Sequence, residues 1–385
     1  MYARQLAAPD RSFFLFGPRG TGKTTWLRER FPSALWFDLV RDAELLRLIR
    51  DPDAFRQAVE ARSRGSWVVV DEVQRRPALL NDVQDLIARH GHRYWYALTG
   101  SSARRLRREQ ANLLAARVVN RRFFPLTAAE LGRDFRLDDV LRWGTLPSVT
   151  SESHERARMD LLDAYAANYI AQEIRLEAAV RHLDAFTRFL EVAALANGQV
   201  TNVTALARDA AVARPTVQGY FEALVDTLIG VWLPAWRPRA RVKEVGHPKF
   251  YFFDTGVVRA LAGRSRDALE RAERGPLLET YILHELRAYQ DYAGAAGELS
   301  YWGTPSRGEV DFVWTRARRS VGIEVKAMTR WRSEDARALA SLLEARIVGR
   351  AVGVYEGMTA LRVGGIDVLP VREFLDRLYA GDIIG

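Results

Sequence analysis

The chain has 385 residues, a length that predicts two or three domains of roughly 100–200 residues each. Hydrophobic residues make up 48% and charged residues 27%, a balance that excludes a largely disordered chain. No apolar run approaches the roughly 20 residues of a membrane-spanning helix, and the first ten residues lack the apolar core of a secretory signal. We therefore expect a cytoplasmic protein with no membrane partner.

The chain contains no cysteine, which excludes disulfides and thiolate metal sites and leaves oxygen ligands for Mg²⁺ or Mn²⁺. Its net charge of +9 favours a polyanionic partner such as nucleic acid, although an arginine-rich composition explains that charge equally well. Lysine occurs only at positions 23, 243, 249 and 326. Lys23 and Lys326 fall in motifs, which suggests that both positions need a compact ammonium group.

The first motif is a glycine-rich loop between an apolar strand at 12–16 and a helix, and it fits the pattern G-x-x-x-x-G-K-[ST] without a mismatch. Such a loop presents backbone N–H groups to phosphates, while Lys23 reaches the β- and γ-phosphates and the Thr24 hydroxyl reaches Mg²⁺. The residues predicted to bind ATP are Gly17, Pro18, Arg19, Gly20, Thr21, Gly22, Lys23, Thr24 and Thr25.

Two further strands are predicted to end beside this loop. The strand at 67–70 delivers two acids, of which Asp71 would hold the Mg²⁺ shell and Glu72 would polarise the attacking water. The strand at 94–98 leads into Thr99 and Ser101.

These segments resemble the AAA+ ATPases, and specifically the family that pairs an AAA domain with a C-terminal domain of unknown function (AAA_14/DUF4143). The resemblance rests on GPRGTGKTT, VVVDEVQ, ALTGSS, NLLAAR and FPLTAAEL, in that order between positions 10 and 131. It implies ATP hydrolysis in a ring-like homo-oligomer, with Thr99 or Ser101 as the sensor residue. Arg117 would be the arginine finger that reaches a neighbour's ATP, with Arg121 and Arg122 as alternatives.

A winged helix-turn-helix is predicted at 181–258. Its third helix places Arg214, Thr216 and Gln218 outward, where such helices meet base edges. A basic wing follows, predicted to track DNA phosphates through Arg237, Arg239, Arg241, Lys243 and Lys249. Glu222 and Asp226 lie on the same third helix and would repel a backbone, so a protein-docking role stays open.

The last third contains a predicted helix at 277–289 after Gly275-Pro276, followed by two strands. Asp311 lies on the first strand, and Glu324 and Lys326 share one face of the second, because residues two apart on a strand point the same way. The pattern resembles the PD-(D/E)xK nucleases. That resemblance implies metal binding by Asp311, Glu324 and Glu279, with Glu285 as the rival of Glu279, and water activation by Lys326. A nuclease-like fold without cleavage stays an alternative.

The sequence thus predicts a multidomain α/β protein. Its predicted parts are an AAA+ core at 1–125, a helical lid and connector at 126–180, the winged helix at 181–258 and a restriction-endonuclease-like domain at 259–385. We expect ATP and Mg²⁺ as cofactors, with Mn²⁺ possible at the nuclease-like site, and duplex or branched DNA, such as a Holliday junction, as the partner. Repair, recombination and defence against foreign DNA all stay open as the pathway. The alternatives are a translocating or branch-migrating motor without cleavage, and a regulatory ATPase switch whose C-terminal domains only bind DNA or protein.

Overall fold

The computed structural model describes residues 2–101, 114, 117–169, 182–236, 246–304 and 308–384. The chain divides into two compact units. One consists of Leu6–Pro125 with Asp226–Ile229, and the other of Met1–Gln5, Leu126–Val225 and Gly230–Gly385. The finer division predicted at residues 180 and 258 stays a prediction.

The first unit is built on a five-stranded sheet. Its strands are β1 (Phe13–Phe16), β2 (Leu35–Asp38), β3 (Ser66–Asp71), β4 (Tyr94–Gly100) and β5 (Val119–Arg122). Its helices are α1 (Lys23–Arg30), α2 (Asp42–Arg50), α3 (Ala54–Glu60) and α4 (Leu79–His90).

All strand pairs of this sheet are parallel, in the order β2-β3-β4-β1-β5. A parallel sheet is covered on both faces, which is why β3 carries the uninterrupted apolar run Val68–Val70, fully buried at 0% exposure. Strand β4 lies between β1 and β3, so the carboxyl ends of these three strands meet at one edge of the sheet. This arrangement confirms the predicted α/β class with a parallel sheet.

The second unit begins with helices. They are α5 (Ala128–Leu131), α6 (Leu137–Trp143), α7 (Pro147–Thr150), α8 (Glu155–Ala164), α9 (Leu183–Leu195), α10 (Val203–Asp209), α11 (Arg214–Asp226) and α12 (Thr255–Leu261). A π-helical turn, Tyr165–Tyr169, extends α8. Between α11 and α12 the strands β6 (Gly230–Leu233) and β7 (Lys249–Phe252) form an antiparallel pair. On α11, Val217, Phe221 and Leu224 are buried.

The C-terminal part of this unit is a six-stranded mixed sheet with three helices. Its strands are β8 (Glu298–Thr304), β9 (Gly308–Arg316), β10 (Arg319–Lys326), β11 (Arg350–Tyr355), β12 (Leu361–Val363) and β13 (Ile366–Pro370). Its helices are α13 (Arg271–Tyr292), α14 (Arg337–Glu344) and α15 (Val371–Tyr379). The strand order is β12-β13-β11-β10-β9-β8, in which β10 pairs antiparallel with β9 and parallel with β11.

Helix α13 is longer than the sequence predicts. The prediction begins it after Pro276, but a capping box of Glu270 and Glu273 begins it at Arg271, so Pro276 lies inside the helix. Pro276 is the sixth residue of the helix, so the helix lacks the backbone hydrogen bond from residue 276 to the Ala272 carbonyl. The Pro276 carbonyl accepts a hydrogen bond from Thr280 Oγ1 at 2.7 Å. The additional turns extend the helix that carries Glu279.

In the part of the chain that the structure describes, no helix combines the length and apolar character that crossing a bilayer requires.

Candidate functional sites

The glycine-rich loop joins β1 to α1 and packs closely against β5's C-terminal flank. A Cβ atom at Gly17 would lie 2.3 Å from the Phe123 carbonyl oxygen, so only glycine fits there. Gly22, which precedes α1, has a φ of 92°, in the left-handed region that favours glycine. The Thr21 hydroxyl donates to the Pro18 carbonyl at 2.9 Å and ties the loop to itself.

Lys23 begins α1 and is only 6% exposed. Its ammonium donates to the carbonyl oxygens of Gly17 at 2.7 Å and Pro18 at 3.1 Å. The ammonium therefore lies over the loop, in the position from which it can exchange these carbonyls for phosphate oxygens.

The first of the two acids, Asp71, is the last residue of β3, is 2% exposed and faces the start of α1. Its two oxygens accept hydrogen bonds from Thr24 Oγ1 at 2.7 Å and from Thr99 Oγ1 at 2.5 Å. Burial raises the pKa of Asp71 above its usual value, while both hydroxyl groups oppose this shift. The predicted Mg²⁺ ligands Thr24 and Asp71 are thus brought together.

The second acid, Glu72, has a φ of 58° and is half-buried. Its backbone N–H donates to Thr99 Oγ1 at 2.8 Å, so Thr99 contacts both acids. Its Oε2 accepts from Ser101 Oγ at 3.1 Å and from the Gln74 amide. Gln74 Nε2 also donates to Ser101 Oγ at 2.9 Å. Gln74 is not among the predicted site residues, although it stands two residues after Glu72.

The oxygen atoms of Thr24 and Asp71 are suitable ligands for Mg²⁺, and the buried Lys23 beside them is suited to a nucleotide phosphate. Arg19 is half-buried and Thr25 is exposed at the two ends of this site. Arg117 and Arg122 are exposed and Arg121 is half-buried, at or near β5. The role of Arg117 as an arginine finger stays a prediction.

The predicted DNA-reading residues Arg214, Thr216 and Gln218 all lie exposed on α11. Glu222, one turn beyond Gln218, is exposed as well. The wing residues Arg237, Arg239, Arg241 and Lys243 lie outside the described residues.

The predicted nuclease motif lies where β9 meets β10. The register pairs Phe312 with Ile323, and continuing it by one residue sets Asp311 opposite Glu324. Asp311 Oδ2 accepts the Val325 backbone N–H at 2.8 Å, and Lys326 forms an ion pair with Glu324 Oε1. Asp311 and Glu324 are each 5% exposed.

The two candidate glutamates of α13 have different surroundings. Glu279 accepts a hydrogen bond from Tyr251 OH at 3.0 Å. Burial raises the pKa of Glu279, and the negative charge of the nearby Asp311 raises it further. Glu285 is completely buried and accepts hydrogen bonds from the Tyr281 hydroxyl, the Tyr379 hydroxyl and the Ala128 backbone. Glu285 is therefore a structural acid, and Glu279 is the one beside the motif.

The prediction that Lys249 belongs to a solvent-facing basic wing is wrong. Lys249 begins β7, and its side chain is 3% exposed. Its ammonium lies 3.7 Å from Glu279 Oε2, forms an ion pair with Glu309 and lies 5.3 Å from the centre of the Tyr301 ring. The sequence did not indicate this inward position, because Lys249 follows a run of alternating basic residues and was grouped with them.

Four acids of this region, Glu279, Glu309, Asp311 and Glu324, lie near two lysines, Lys249 and Lys326. The pKa of Glu324 is raised well above its usual value, first by burial and then by Asp311. The pKa of Lys249 is raised as well, because the neighbouring acids outweigh the lowering that burial causes. Within the described residues no group of three or more His, Asp or Glu side chains is placed to hold a metal ion. The metal assignment to Glu279, Asp311 and Glu324 stays a prediction.

Three family models match successive parts of the chain. Residues 9–132 match an AAA domain (AAA_14), residues 134–268 match a domain of unknown function (DUF8612), and residues 274–374 match a domain of unknown function (DUF4143). Two uncharacterized proteins, Mb2031c of Mycobacterium bovis and Rv2008c of Mycobacterium tuberculosis, are each 29% identical over 352 residues, covering 89% of this chain and 76% of theirs.

Solved structures with similarity include Cdc6p of Pyrobaculum aerophilum, 13% identical with a TM-score of 0.25, over 67% of this chain and 88% of that one. The Orc1 protein of Aeropyrum pernix in complex with DNA is 15% identical with a TM-score of 0.31, over 67% and 87%. The family assignments rest on the sequence models and on the geometry of the loop. The chain carries a P-loop ATPase domain of the AAA_14 family at residues 9–132 and a DUF4143 domain at residues 274–374.

Proposed function

We propose that this chain hydrolyses ATP at its P-loop and couples hydrolysis to an action on DNA. The observation that carries the first half is the paired acids at the end of β3. Asp71 is bonded to Thr24 and Thr99, while Glu72 is bonded to Ser101. Two acids held apart by different hydroxyl groups can take different roles, one at the metal and one at the water.

The chain's own groups would bind and orient the substrate. Loop amides and Lys23 would take the phosphates, with the Lys23 ammonium leaving the Gly17 and Pro18 carbonyls that it now contacts. Thr24 and Asp71 would hold Mg²⁺, which supplies neutralisation of the phosphate charge when bound. Glu72 would orient the attacking water, and Ser101 keeps its carboxylate in place.

Steady-state phosphate release and nucleotide binding test the ATPase assignment. We expect Lys23→Ala to lose both binding and hydrolysis, and Glu72→Gln to keep binding while hydrolysis falls by about 100-fold or more. The reason for the difference is that the amide keeps the size of Glu72 but not its charge.

Glu29→Gln and Arg30→Ala are matched controls, because both residues are exposed on α1. They should leave both readouts unchanged. If Glu72→Gln hydrolyses ATP as fast as the control Glu29→Gln, Glu72 does not orient the attacking water.

The DNA part of the proposal rests on α11 and on net charge. Arg214 and Gln218 lie one turn apart and form an exposed row on α11, Thr216 is exposed near them, and the chain carries a charge of +9. Arg214 can contact a phosphate or a guanine, and Gln218 can pair with an adenine edge. Glu222 at the far end of the row limits the contact to the first half of the helix.

Fluorescence anisotropy with linear, forked and four-way DNA tests this contact. We expect Arg214→Ala to weaken binding about tenfold and to flatten its salt dependence. Glu222→Gln is the matched control and should bind as tightly as the wild type or more tightly. If Arg214→Ala binds all three DNAs normally, the exposed row of α11 serves a protein partner instead.

Cleavage by Asp311, Glu324 and Lys326, and a preference for Holliday junctions, are not needed for this proposal. We favour a motor or switch that acts on DNA through nucleotide state. Strand separation or branch migration that requires ATP and disappears in Lys23→Ala would identify a motor. ATP hydrolysis with no change in any DNA would favour the regulatory switch.

A further inference from the structure

The C-terminal acids surround a lysine from another part of the chain. We call Glu279, Glu309, Asp311 and Glu324 the acidic cluster. Glu279 comes from α13, two members from β9 and one from β10. Lys249 comes from β7, some thirty residues before the nearest of them in the chain.

Lys249 makes direct contacts with one end of the acidic cluster. It forms an ion pair with Glu309 and lies 3.7 Å from Glu279 Oε2. Tyr251, two residues further along β7, donates its hydroxyl to the same Glu279 oxygen at 3.0 Å. Residues two apart on a strand share a face, so β7 presents one cation and one donor to Glu279 together.

The other two members of the acidic cluster each have a partner, although Glu324 Oε2 is buried without a hydrogen bond to the described residues. Glu324 pairs with Lys326, and Asp311 accepts the Val325 backbone N–H at 2.8 Å. A divalent metal needs several of these oxygens to turn toward one point, at about 2.0–2.6 Å from the ion. An ammonium group has a single charge and three directed donors, and it satisfies the same oxygens without a convergent shell.

Burial makes the pairing of Lys249 obligatory. A lysine with a side chain only 3% exposed keeps its charge only when carboxylates compensate for the lost water. Removing the cation would leave Glu279 and Glu309 facing each other with Asp311 nearby, and like charges at such distances repel. The acidic cluster and Lys249 therefore form one electrostatic unit.

We propose that Lys249 is the resident cation of the acidic cluster, so that the cluster binds no divalent metal while Lys249 is in place and does not cleave DNA. The C-terminal domain keeps the strand pattern of a nuclease motif but uses its acids to fix β7 on the C-terminal sheet. This inference does not depend on ATP hydrolysis.

Manganese binding to the nucleotide-free protein tests the proposal directly. Mn²⁺ is titrated into the full chain and followed by electron paramagnetic resonance, which counts bound and free ions. We expect the wild type and Asp311→Asn to bind the same number of ions, because the acidic cluster contributes none. A wild-type ion that disappears in Asp311→Asn would overturn the proposal.

Replacing the lysine provides the complementary arm. Lys249→Met keeps most of the side-chain volume and removes the charge. We expect its Tm to fall by about 5 °C or more and to recover with Mn²⁺ or Mg²⁺, while the wild-type Tm stays insensitive to the ion. It should also bind one more Mn²⁺ than the wild type, and Asp311→Asn in the same chain should remove that ion.

Lys249→Arg is the charge-retaining control and should bind no additional ion. A Lys249→Met protein that folds but gains no ion would overturn the proposal, because something other than Lys249 would then exclude the metal. If Lys249→Met does not fold, Lys249→Gln replaces it, and the comparison of the wild type with Asp311→Asn still decides. Metal-dependent cleavage of DNA by the wild type, lost in Asp311→Asn, would overturn it as well.

Discussion

The nucleotide site and the acidic cluster were both predicted from short motifs, yet they differ in how their charges are satisfied. In the nucleotide site, Asp71 and Glu72 are held by hydroxyl and amide groups, which are neutral donors and bring no positive charge of their own. In the acidic cluster, Lys249 and Lys326 pair with the carboxylates directly. Neutral partners prepare an acid for a ligand, whereas a charged partner replaces the ligand.

The comparison suggests that the two regions obtain their additional positive charge from different places. The acidic cluster takes it from within the chain, through Lys249. We expect the nucleotide site to take it from another copy of the protein, through Arg117.

Mixing two inactive variants would sharpen this contrast and gives the largest expected effect. Arg117→Ala keeps its own P-loop but offers no finger, and we expect its ATPase rate to fall by about 1,000-fold or more. Lys23→Ala offers the finger but has no working P-loop. In an equal mixture that assembles at random, activity should return to about a quarter of the wild-type value.

Arg121→Ala and Arg122→Ala serve as controls, since both arginines lie on β5 close to Arg117. If one of these two variants, rather than Arg117→Ala, is inactive alone and recovers activity when mixed with Lys23→Ala, that residue is the arginine finger. A mixture that assembles but stays inactive would contradict a finger supplied between copies.

The sequence was sufficient for the nucleotide site because its motif residues are close in the chain or follow neighbouring strands. Parallel strands end at the same edge, so the strand that carries Asp71 and the one that carries Thr99 bring them together. The sequence could not place Lys249, whose partners lie 30 residues or more further along the chain and belong to α13 and β9. Its inward orientation depends on the pairing of β6 with β7, which the pattern of basic residues does not reveal.

The acids of α13 show the same limit. Their spacing places Glu279 and Glu285 on the helix, but only packing shows that Glu285 is enclosed by Tyr281 and Tyr379. Gln74 lies within a motif segment, but its contact with Glu72 depends on the left-handed backbone at Glu72.

The pH dependence of stability would test the distinction between those two glutamates. Burial raises the pKa of Glu285 to about 7, from 4.5. A raised carboxyl pKa contributes stability that is fully present below the unfolded value and lost as the pH rises through the folded value. Relative to Glu285→Gln, which does not titrate, the wild-type free energy of unfolding should therefore fall by about 2–3 kcal/mol between pH 5 and pH 8.

Urea unfolding at both pH values measures this change. Glu298→Gln is the control, because Glu298 is exposed on β8, and it should follow the wild type at both pH values. If the free energies of unfolding of the wild type and Glu285→Gln differ by the same amount at pH 5 and at pH 8, the pKa of Glu285 is not raised by folding.

The smallest predicted effect concerns Gln74, and it would sharpen the nucleotide side of the comparison. Gln74 donates to Glu72 and to Ser101, so it is a positioning residue for the carboxylate that orients the water. Losing its hydrogen bonds to Glu72 and Ser101 should raise the activation free energy of hydrolysis by about 1 kcal/mol. We therefore expect Gln74→Ala to lower kcat about fivefold with KM unchanged. Gln57→Ala, at an exposed position on α3, is the matched control.

The separation of kcat from KM is the decisive readout for Gln74. A structural defect of the loop would raise KM, because the loop binds the phosphates in the ground state and in the transition state alike. A misplaced Glu72 lowers kcat alone, since the water attacks the γ-phosphate only after ATP is bound. An unchanged kcat in Gln74→Ala would mean that Ser101, 3.1 Å from Glu72 Oε2, suffices to position the carboxylate.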